Sequence, residues 1–265
     1  MLKLATVIVG TDGGRFGHVR ANSERLALAN QIARFVENEG AALCVMPAGY
    51  LTATSGRPTA IRSAAARLAS IFAVDLVAGI DAAHTTIGAK RRGAAKVSAR
   101  AARPRGGWPF WGMFSRSGRV DSVFQQRTVY PGEETDDVEA RVMDVASQRV
   151  GLLICGEVYN PALTASLGDE RPDFAVDIGH RSMGRGFTST LRNAAAAAGC
   201  RVFHAQHVAW RSRGACMWTG TSRRAWAETA CDWASYKAGD DREALWAEVK
   251  LWELGDARAS VAGGS

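Results

Sequence analysis

The stretch GLLICGEVYNP, residues 151–161, passes from an apolar run directly into a cysteine, a glycine and an acid. The letters GLLI indicate a buried strand, and the dipeptide NP marks a turn before a helix. By residue type alone, a cysteine in such a run is more often a small buried hydrophobe than a reactive thiol. The alternative is that Cys155 stands at the strand's exit, where layered α/β proteins commonly place their sites.

Strand-like and helix-like segments alternate on the N-terminal side of this stretch. Runs that are apolar on both faces are typical of a sheet covered by helices, so the sequence predicts an α/β fold. The predicted strands are ATVIVG (5–10), ALCVMPAGYL (42–51) and VDLVAGI (74–80), and the predicted helices span 21–40 and 58–73.

Further elements are predicted in the second half of the chain. A hairpin over 108–134 turns at Ser117 and Gly118 and ends in a Pro-Gly loop, and 138–148 is predicted as a short helix. Strands follow at 172–180 and 200–210, in ACMWTG and in RRAWAETACDWASY, with a helix at 187–199, while the tail EALWAEVKLWEL fits helix or strand. No linker or short repeat divides the chain, which predicts one domain over residues 1–265.

Composition narrows the class of protein. A hydrophobic content of 47% and a charged content of 22% are those of an ordinary globular protein. No run approaches the roughly 18 apolar residues that cross a bilayer, which predicts a cytoplasmic protein without membrane contact. The five cysteines are spread singly and the histidines lack ligand spacing, so we expect reduced thiols, no metal and no cofactor.

The positive charge is concentrated in one segment. Residues 90–105, KRRGAAKVSARAARPR, hold seven basic residues and no acid, against a net charge of +7 for the chain. Such a run is able to attract a polyanion. A solvated surface loop is the favoured interpretation, and nucleic acid is not expected as a partner, because no aromatic residues are interleaved for base stacking.

In order along the chain, several motifs resemble the nitrilase, or carbon-nitrogen hydrolase, superfamily. They are GLLICGE around Cys155, together with ALCVMPAGYLT, QQRTVYPGEE, PDFAVDIGH and LRNAAAAAGCRVFHAQHV. The resemblance implies a four-layer α-β-β-α sandwich and a homo-oligomer, a dimer or larger. It also implies hydrolysis of a small amide or nitrile-type substrate through a covalent thioester or thioimidate on the cysteine.

The chemistry of the family needs a glutamate base, a lysine and the cysteine nucleophile. Cys155 matches the nucleophile. Where the family has Glu after Pro, this sequence has Ala48, and Gln126 stands at the lysine position with Arg127 next to it. Two of the three catalytic positions therefore depart from the pattern, and loss of a general base costs roughly two to four orders of magnitude in rate.

Nearby residues offer substitutes for the missing groups. We expect Arg127 and the N–H of Gly156 to hold the oxyanion, because a guanidinium can replace the charge of the lysine. Glu133 is the predicted substitute base, with Glu134 as the fallback, although both could be exposed loop acids.

The remaining positions concern the pocket. His180, Tyr50 and Tyr159 stand at positions where the resemblance implies residues of the substrate pocket, so they are predicted to contact substrate. His180 could instead supply the missing proton transfer, or be a structural histidine. Glu157 is predicted to be a structural acid that orients the loop after the strand.

Two functions of different classes follow from this pattern. The first is a hydrolase that cleaves an amide or other non-peptide C–N bond through Cys155. The second is a catalytically inactive protein of the same fold, which keeps the pocket and binds a small ligand or a protein partner. Retention of Cys155 favours the first, and Ala48 and Gln126 favour the second.

Overall fold

The computed structural model describes residues 2–11, 22–83, 107–180, 187–209, 230–238 and 245–255. The basic segment 90–105 and the predicted strand ACMWTG lie outside these ranges. The helices are α1 (Asn22–Asn38), α2 (Pro58–Ala69), α3 (Pro161–Asp169) and α4 (Phe187–Ala198).

Twelve strands of the described ranges form one mixed sheet. They are β1 (Leu2–Thr11), β2 (Leu43–Val45), β3 (Leu51–Ala53), β4 (Asp75–Ala82), β5 (Phe110–Arg116), β6 (Arg119–Gln125), β7 (Val142–Val145), β8 (Gln148–Ile154), β9 (Phe174–Gly179), β10 (Arg201–Ala209), β11 (Ala230–Ala238) and β12 (Leu245–Leu254).

Strand β1 joins two halves of this sheet. It runs parallel to β2 at residues 4–6 and parallel to β10 at residues 8–11, and β12 lies antiparallel to it along its whole length. On one side the order continues β2-β4-β5-β6, with β3 also on β4, and we call this half the first wing. On the other side it continues β10-β9-β8-β7, the second wing.

The sheet curls so that the two wings face each other. A Cβ atom added to Gly112 on β5 would lie 2.8 Å from the Ile154 side chain on β8 and 3.3 Å from that of Ile178 on β9. Strands β4 and β9 also contact each other, although three strands separate them in the sheet order. The curl therefore brings residues of distant strands together.

Three apolar clusters cover the faces of the sheet. The first packs α1 and α2 against the outer side of β1, β4 and β12, and the third packs α3 and α4 against β8, β9 and β10. The second fills the space between the wings. Leu152 belongs to this inner cluster and its neighbour Leu153 to the α3–α4 cluster, because successive side chains of a strand point to opposite faces. The apolar run before Cys155 is thus a strand buried on both sides.

Two predicted elements were wrong. The short helix predicted over 138–148 is instead strand β7, which forms a hairpin with β8. Its alternating residues Met143 and Val145 are buried in the inner cluster, so the true period is two. The strand predicted over 42–51 is two short strands, because the chain turns between them at Gly49, where φ is +63°.

The ambiguous tail forms β12. Among the helices of the described residues, none combines the length and apolarity that crossing a bilayer requires.

Candidate active site

Cys155 lies where β8 ends and a short 3₁₀ helix, Cys155–Tyr159, begins. Its side chain is half-buried, and its φ of +50° is in the left-handed region. This backbone conformation costs a non-glycine residue roughly 1–2 kcal/mol, so the surrounding structure must hold it.

Glu157 holds the turn after the strand. Its carboxylate is fully buried and accepts hydrogen bonds from the backbone N–H of Ile154 (3.1 Å) and of Arg127 (2.8 Å). The guanidinium groups of Arg127 and Arg141 neutralise its charge at 3.1 and 3.0 Å. These ion pairs and hydrogen bonds compensate the carboxylate for the hydration that it loses on burial. These are the contacts of a structural acid that orients the loop, as the sequence predicts.

Gly156 brings this turn against the loop of residues 126–134. A Cβ atom on Gly156 would lie 2.5 Å from the Cα of Val129 and 2.6 Å from the carbonyl oxygen of Thr128. Any side chain there would push the loop away from the cysteine. The oxyanion role of the Gly156 N–H stays a prediction.

His180 reaches the thiol from the neighbouring strand. Strands β8 and β9 run parallel, with Ile154 opposite Ile178, so Cys155 and His180 emerge at the same edge of the sheet. Cys155 lies close enough to His180 to be among the groups that raise the pKa of its ring. The structure therefore brings together two residues that the sequence singled out separately.

Asp81 completes a chain of three side chains. It lies on β4 of the first wing, and its Oδ1 is 2.8 Å from Nε2 of His180. The His180 side chain is 25% exposed and that of Asp81 is 13% exposed. Because the two residues belong to opposite wings, only the curl of the sheet lets them meet.

The surroundings of His180 favour its protonated form. Burial alone would lower its pKa. The negative charge of Asp81, the nearby Cys155 and the hydrogen bond to Asp81 outweigh burial and raise the pKa of His180 well above 6.5. An imidazole that readily takes up a proton beside a cysteine is the arrangement that activates the thiol.

The Asp81–His180 pair lies beside Ala48, the position at which the family pattern has its glutamate base. Gly49 follows Ala48, and a Cβ on Gly49 would stand 2.6 Å from Oδ2 of Asp81 and 3.0 Å from Cδ2 of His180. The buried guanidinium of Arg25 fixes this backbone by donating from Nη1 to the carbonyl oxygen of Gly49 at 2.7 Å. Only the absence of a side chain at position 49 leaves room for the pair.

The two predicted pocket tyrosines lie in different places. Tyr159 follows the cysteine turn, and the pKa of its phenol is raised to about 12 by burial and by the charges of Asp177 and Cys155. Its buried hydroxyl has no hydrogen-bond partner among the residues that the structure describes. Tyr50 is completely buried in the α1–α2 cluster, where its hydroxyl donates to the carbonyl oxygen of Arg25. The structure thus places Tyr159 near the thiol and Tyr50 in the core.

Gln126 and Arg127, at and next to the lysine position, are both engaged in hydrogen bonds with other residues of the protein. Gln126 is fully buried, and its Nε2 donates to the carbonyl oxygen of Thr128 at 2.7 Å. The guanidinium of Arg127 donates to Glu157 and to the carbonyl oxygen of Glu139. The oxyanion role of Arg127 stays a prediction.

Glu133 organises the same loop. One carboxylate oxygen accepts from Nε1 of Trp108 at 2.8 Å, and the other accepts from the N–H of Val129 at 2.7 Å. Its carbonyl oxygen accepts from the side chain of Asn160, which also caps α3. The role of Glu133 as a base stays a prediction.

Sequence reasoning missed Asp81. The signal was present, because an apolar strand that ends in an acid is the same pattern as GLLICGE. The prediction ended this strand at Ile80, two residues before its end at Ala82.

It also missed a second pair of the same type in the second wing. Nδ1 of the buried His204 lies 2.6 Å from Oδ2 of Asp177, and its Nε2 lies 3.2 Å from Oε1 of Gln206. Burial raises the pKa of Asp177, and the neighbouring His204 partly offsets this shift.

Comparison with solved structures places this fold. An amidase from Nesterenkonia sp. AN1, in which acrylamide has added to the active-site cysteine, is 14% identical with a TM-score of 0.57, over 99% of this chain and 98% of that chain. A mutant of this amidase, described as from the nitrilase superfamily, is 14% identical with a TM-score of 0.56, over 98% and 96%. The glutamine-dependent NAD+ synthetase of Acinetobacter baumannii matches 77% of this chain and 38% of its own length, at 14% identity and a TM-score of 0.52.

These likenesses confirm the resemblance stated from the motifs, at the level of the fold. The chain has a mixed α/β fold with a large curled sheet, like the nitrilase-type structures. No protein-family model matches the sequence, and no curated protein is similar to it at a significant level.

Proposed function

We propose that this chain, which has the nitrilase-superfamily fold, is a hydrolase that cleaves the C–N bond of a small amide through a thioester on Cys155. The observation that carries the proposal is the position of the thiol. Cys155 is held in a left-handed conformation at the end of β8, half-exposed and beside His180 at the same edge of the sheet. The Nesterenkonia amidase supports it, since its active-site cysteine is the residue that acrylamide modifies.

The finer parts of this proposal concern the oxyanion and the assembly. The N–H of Gly156, directly after the nucleophile, is the proposed donor to the tetrahedral intermediate. The three apolar clusters support a four-layer α-β-β-α stacking of helices and wings. We also propose a homodimer or larger oligomer, which light scattering after size-exclusion chromatography would test.

The hydrolase proposal is tested by ammonia release from a panel of amides, nitriles and N-carbamoyl compounds. We expect turnover by the wild type and none by Cys155→Ala. Cys200→Ala is the matched control, because this second half-buried thiol has its pKa raised to about 12 by burial and is inert at neutral pH. If Cys155→Ala retains the turnover of the wild type, or if no compound is hydrolysed, the proposal fails.

A specific observation favours the second candidate, an inactive protein that binds a small ligand. Ala48 and Gln126 stand where the family pattern has glutamate and lysine. Activity that appears only when Ala48→Glu is combined with Gln126→Lys would support this candidate. Circular dichroism of the double variant shows whether it folds, since both positions are buried.

A further inference from the structure

We infer that His180 is the general base of Cys155 and that Asp81 orients it, so that the three residues form a proton-transfer triad. The inference rests on the proposed hydrolase function. It adds the group that takes the proton of the thiol, which neither Ala48 nor Gln126 can do.

The orientation of the imidazole is the first argument. Nε2 of His180 is 2.8 Å from Oδ1 of Asp81, so the neutral ring carries its proton on Nε2 and leaves Nδ1 as the basic nitrogen. The ring of Phe110 packs against that of His180 with centroids 4.5 Å apart and limits its rotation. A base whose tautomer and direction are both fixed is the arrangement that nucleophilic catalysis needs.

The origin of the three residues is the second argument. Asp81 is the last residue but one of β4, Cys155 follows β8 and His180 follows β9. Side chains held by strand ends are positioned more precisely than side chains of a free loop. Asp81 also fills the space beside Gly49, next to the residue that replaced the glutamate. The family pattern has its base at position 48, in the loop between β2 and β3. In this chain the inferred base, His180, and its partner Asp81 are held by the two facing wings.

Partial exposure is the third argument. With 25% of the His180 side chain exposed, substrate and water can reach the ring, whereas the Asp81 side chain at 13% is more shielded. The rival base, Glu133, uses its two oxygens for Trp108 and the backbone of Val129. Of the two, His180 is the group that emerges beside Cys155 from the neighbouring parallel strand.

The reaction balances with water as the second substrate. The thiol proton of Cys155 passes to Nδ1 of His180, and the sulfur lone pair forms a C–S bond to the amide carbon while the C=O π pair moves to oxygen. When the oxygen pair returns, the C–N bond breaks, and the imidazolium gives its proton to the leaving nitrogen, which departs as ammonia. Water then forms a C–O bond to the thioester carbon and gives one proton to Nδ1. The C–S bond breaks, the carboxylic acid leaves, and the thiolate takes the proton back from the imidazolium of His180.

Alkylation of Cys155 by iodoacetamide tests the triad without any substrate. The modified peptide is followed by mass spectrometry at several pH values. For His180→Gln we expect the rate at pH 7 to fall at least about tenfold, because an unassisted thiol with an ordinary pKa of about 8.5 is mostly protonated there. Glu170→Gln, at an exposed carboxylate paired with Arg149, is the matched control and leaves the rate within about twofold. No change in His180→Gln, or the same large loss in Glu170→Gln, overturns the inference.

Turnover provides the second readout. His180→Gln should lower kcat by about 10²- to 10⁴-fold, with a much smaller change in KM. In His180→Gly, added imidazole should restore part of the activity, which a purely structural histidine would not allow. Asp81→Asn, which keeps the shape of the side chain, serves as the second variant if substitution of His180 prevents folding.

The two proposals fail in different ways. Turnover that depends on Cys155 but not on His180 overturns the triad and leaves the hydrolase in place. Alkylation that depends on His180, without turnover of any amide or nitrile, supports the triad and contradicts the hydrolase.

Discussion

The molecule contains two histidine–aspartate pairs that differ mainly in where they lie. The distance is 2.8 Å in the Asp81–His180 pair and 2.6 Å in the Asp177–His204 pair. The first pair is partly exposed, whereas the side chains of the second are 0% and 1% exposed. We call Asp81–His180 the outer pair and Asp177–His204 the inner pair. His180 of the outer pair lies near the thiol of Cys155, and His204 of the inner pair contacts the amide oxygen of Gln206.

This difference in exposure distinguishes a pair with a structural role, Asp177–His204, from a pair that can take part in catalysis, Asp81–His180. His204 makes one hydrogen bond at each ring nitrogen, and the ring of Phe187 packs against it at 4.5 Å. It therefore has no ring nitrogen left for a substrate. His180 faces a thiol at an edge that solvent reaches. The same two residue types thus serve packing in one place and proton transfer in the other, and their environment decides which.

The largest effect is expected when the inner pair is broken. His204→Ala should lower the free energy of unfolding by about 3 kcal/mol or more, because Asp177 loses a buried partner and a cavity forms. His180→Ala should cost about 1 kcal/mol, because water can solvate Asp81. Urea unfolding of both variants measures the difference. Equal losses in the two variants would contradict the assignment of a structural role to one pair and a catalytic role to the other.

Breaking the outer pair should act on the reaction instead. We expect Asp81→Asn to reduce kcat/KM about 100-fold, equivalent to about 2.7 kcal/mol of transition-state stabilisation, because His180 loses its orientation. Asp75→Asn is the matched control, since Asp75 starts the same strand and accepts from Ser117 far from the thiol. Steady-state kinetics of both variants checks this. Similar losses in the two variants would show that removing any negative charge from β4 lowers activity, and would contradict a specific role of Asp81.

Gly49→Ala tests how tightly the outer pair is packed. The added methyl group would meet Asp81 and His180 at 2.6 and 3.0 Å in a residue with φ of +63°. Gly40→Ala shares the strained backbone, with φ of +68°, but its Cβ meets nothing within 4 Å. Each substitution should cost about 1–2 kcal/mol of stability from backbone strain. Only Gly49→Ala should also reduce activity, and a comparable loss of activity in Gly40→Ala would contradict the packing argument.

The smallest effect concerns pH. Because the pKa of His180 is raised in the folded protein, its contribution to stability is fully present below pH 6.5 and is lost as the pH rises through the raised value. The difference in unfolding free energy between the wild type and His180→Gln should therefore be larger at pH 6 than at pH 10. Urea unfolding at the two values checks this, and a larger difference at pH 10 would contradict the sign of the shift.

Much of the fold was predictable from local patterns. The apolar runs of β1, β4, β8, β9 and β10 and the helices α1, α2 and α4 follow from periodicity, and the ordered motifs identified the fold. Strand β7 was missed because four residues are too few to establish a period of two. The tail could not be assigned because its partner, β1, lies at the other end of the chain.

The candidate site was predictable only in part. Cys155 and His180 could be singled out because each follows an apolar strand. Their contact with Asp81 could not, because it depends on a curl that brings two wings together, and no local pattern encodes it. Similarly, Tyr50 follows a motif of the family, but its side chain turns into the α1–α2 cluster.

The role of β1 as the strand that joins both wings has a consequence for the order of folding. Asp81 belongs to one wing, and Cys155 and His180 belong to the other. A partly folded chain in which one wing has formed therefore still lacks the assembled triad. Fast alkylation of the thiol at neutral pH is then a property of the completed fold. In a refolding experiment, the moment at which Cys155 becomes reactive should mark the docking of the wings rather than the formation of either one.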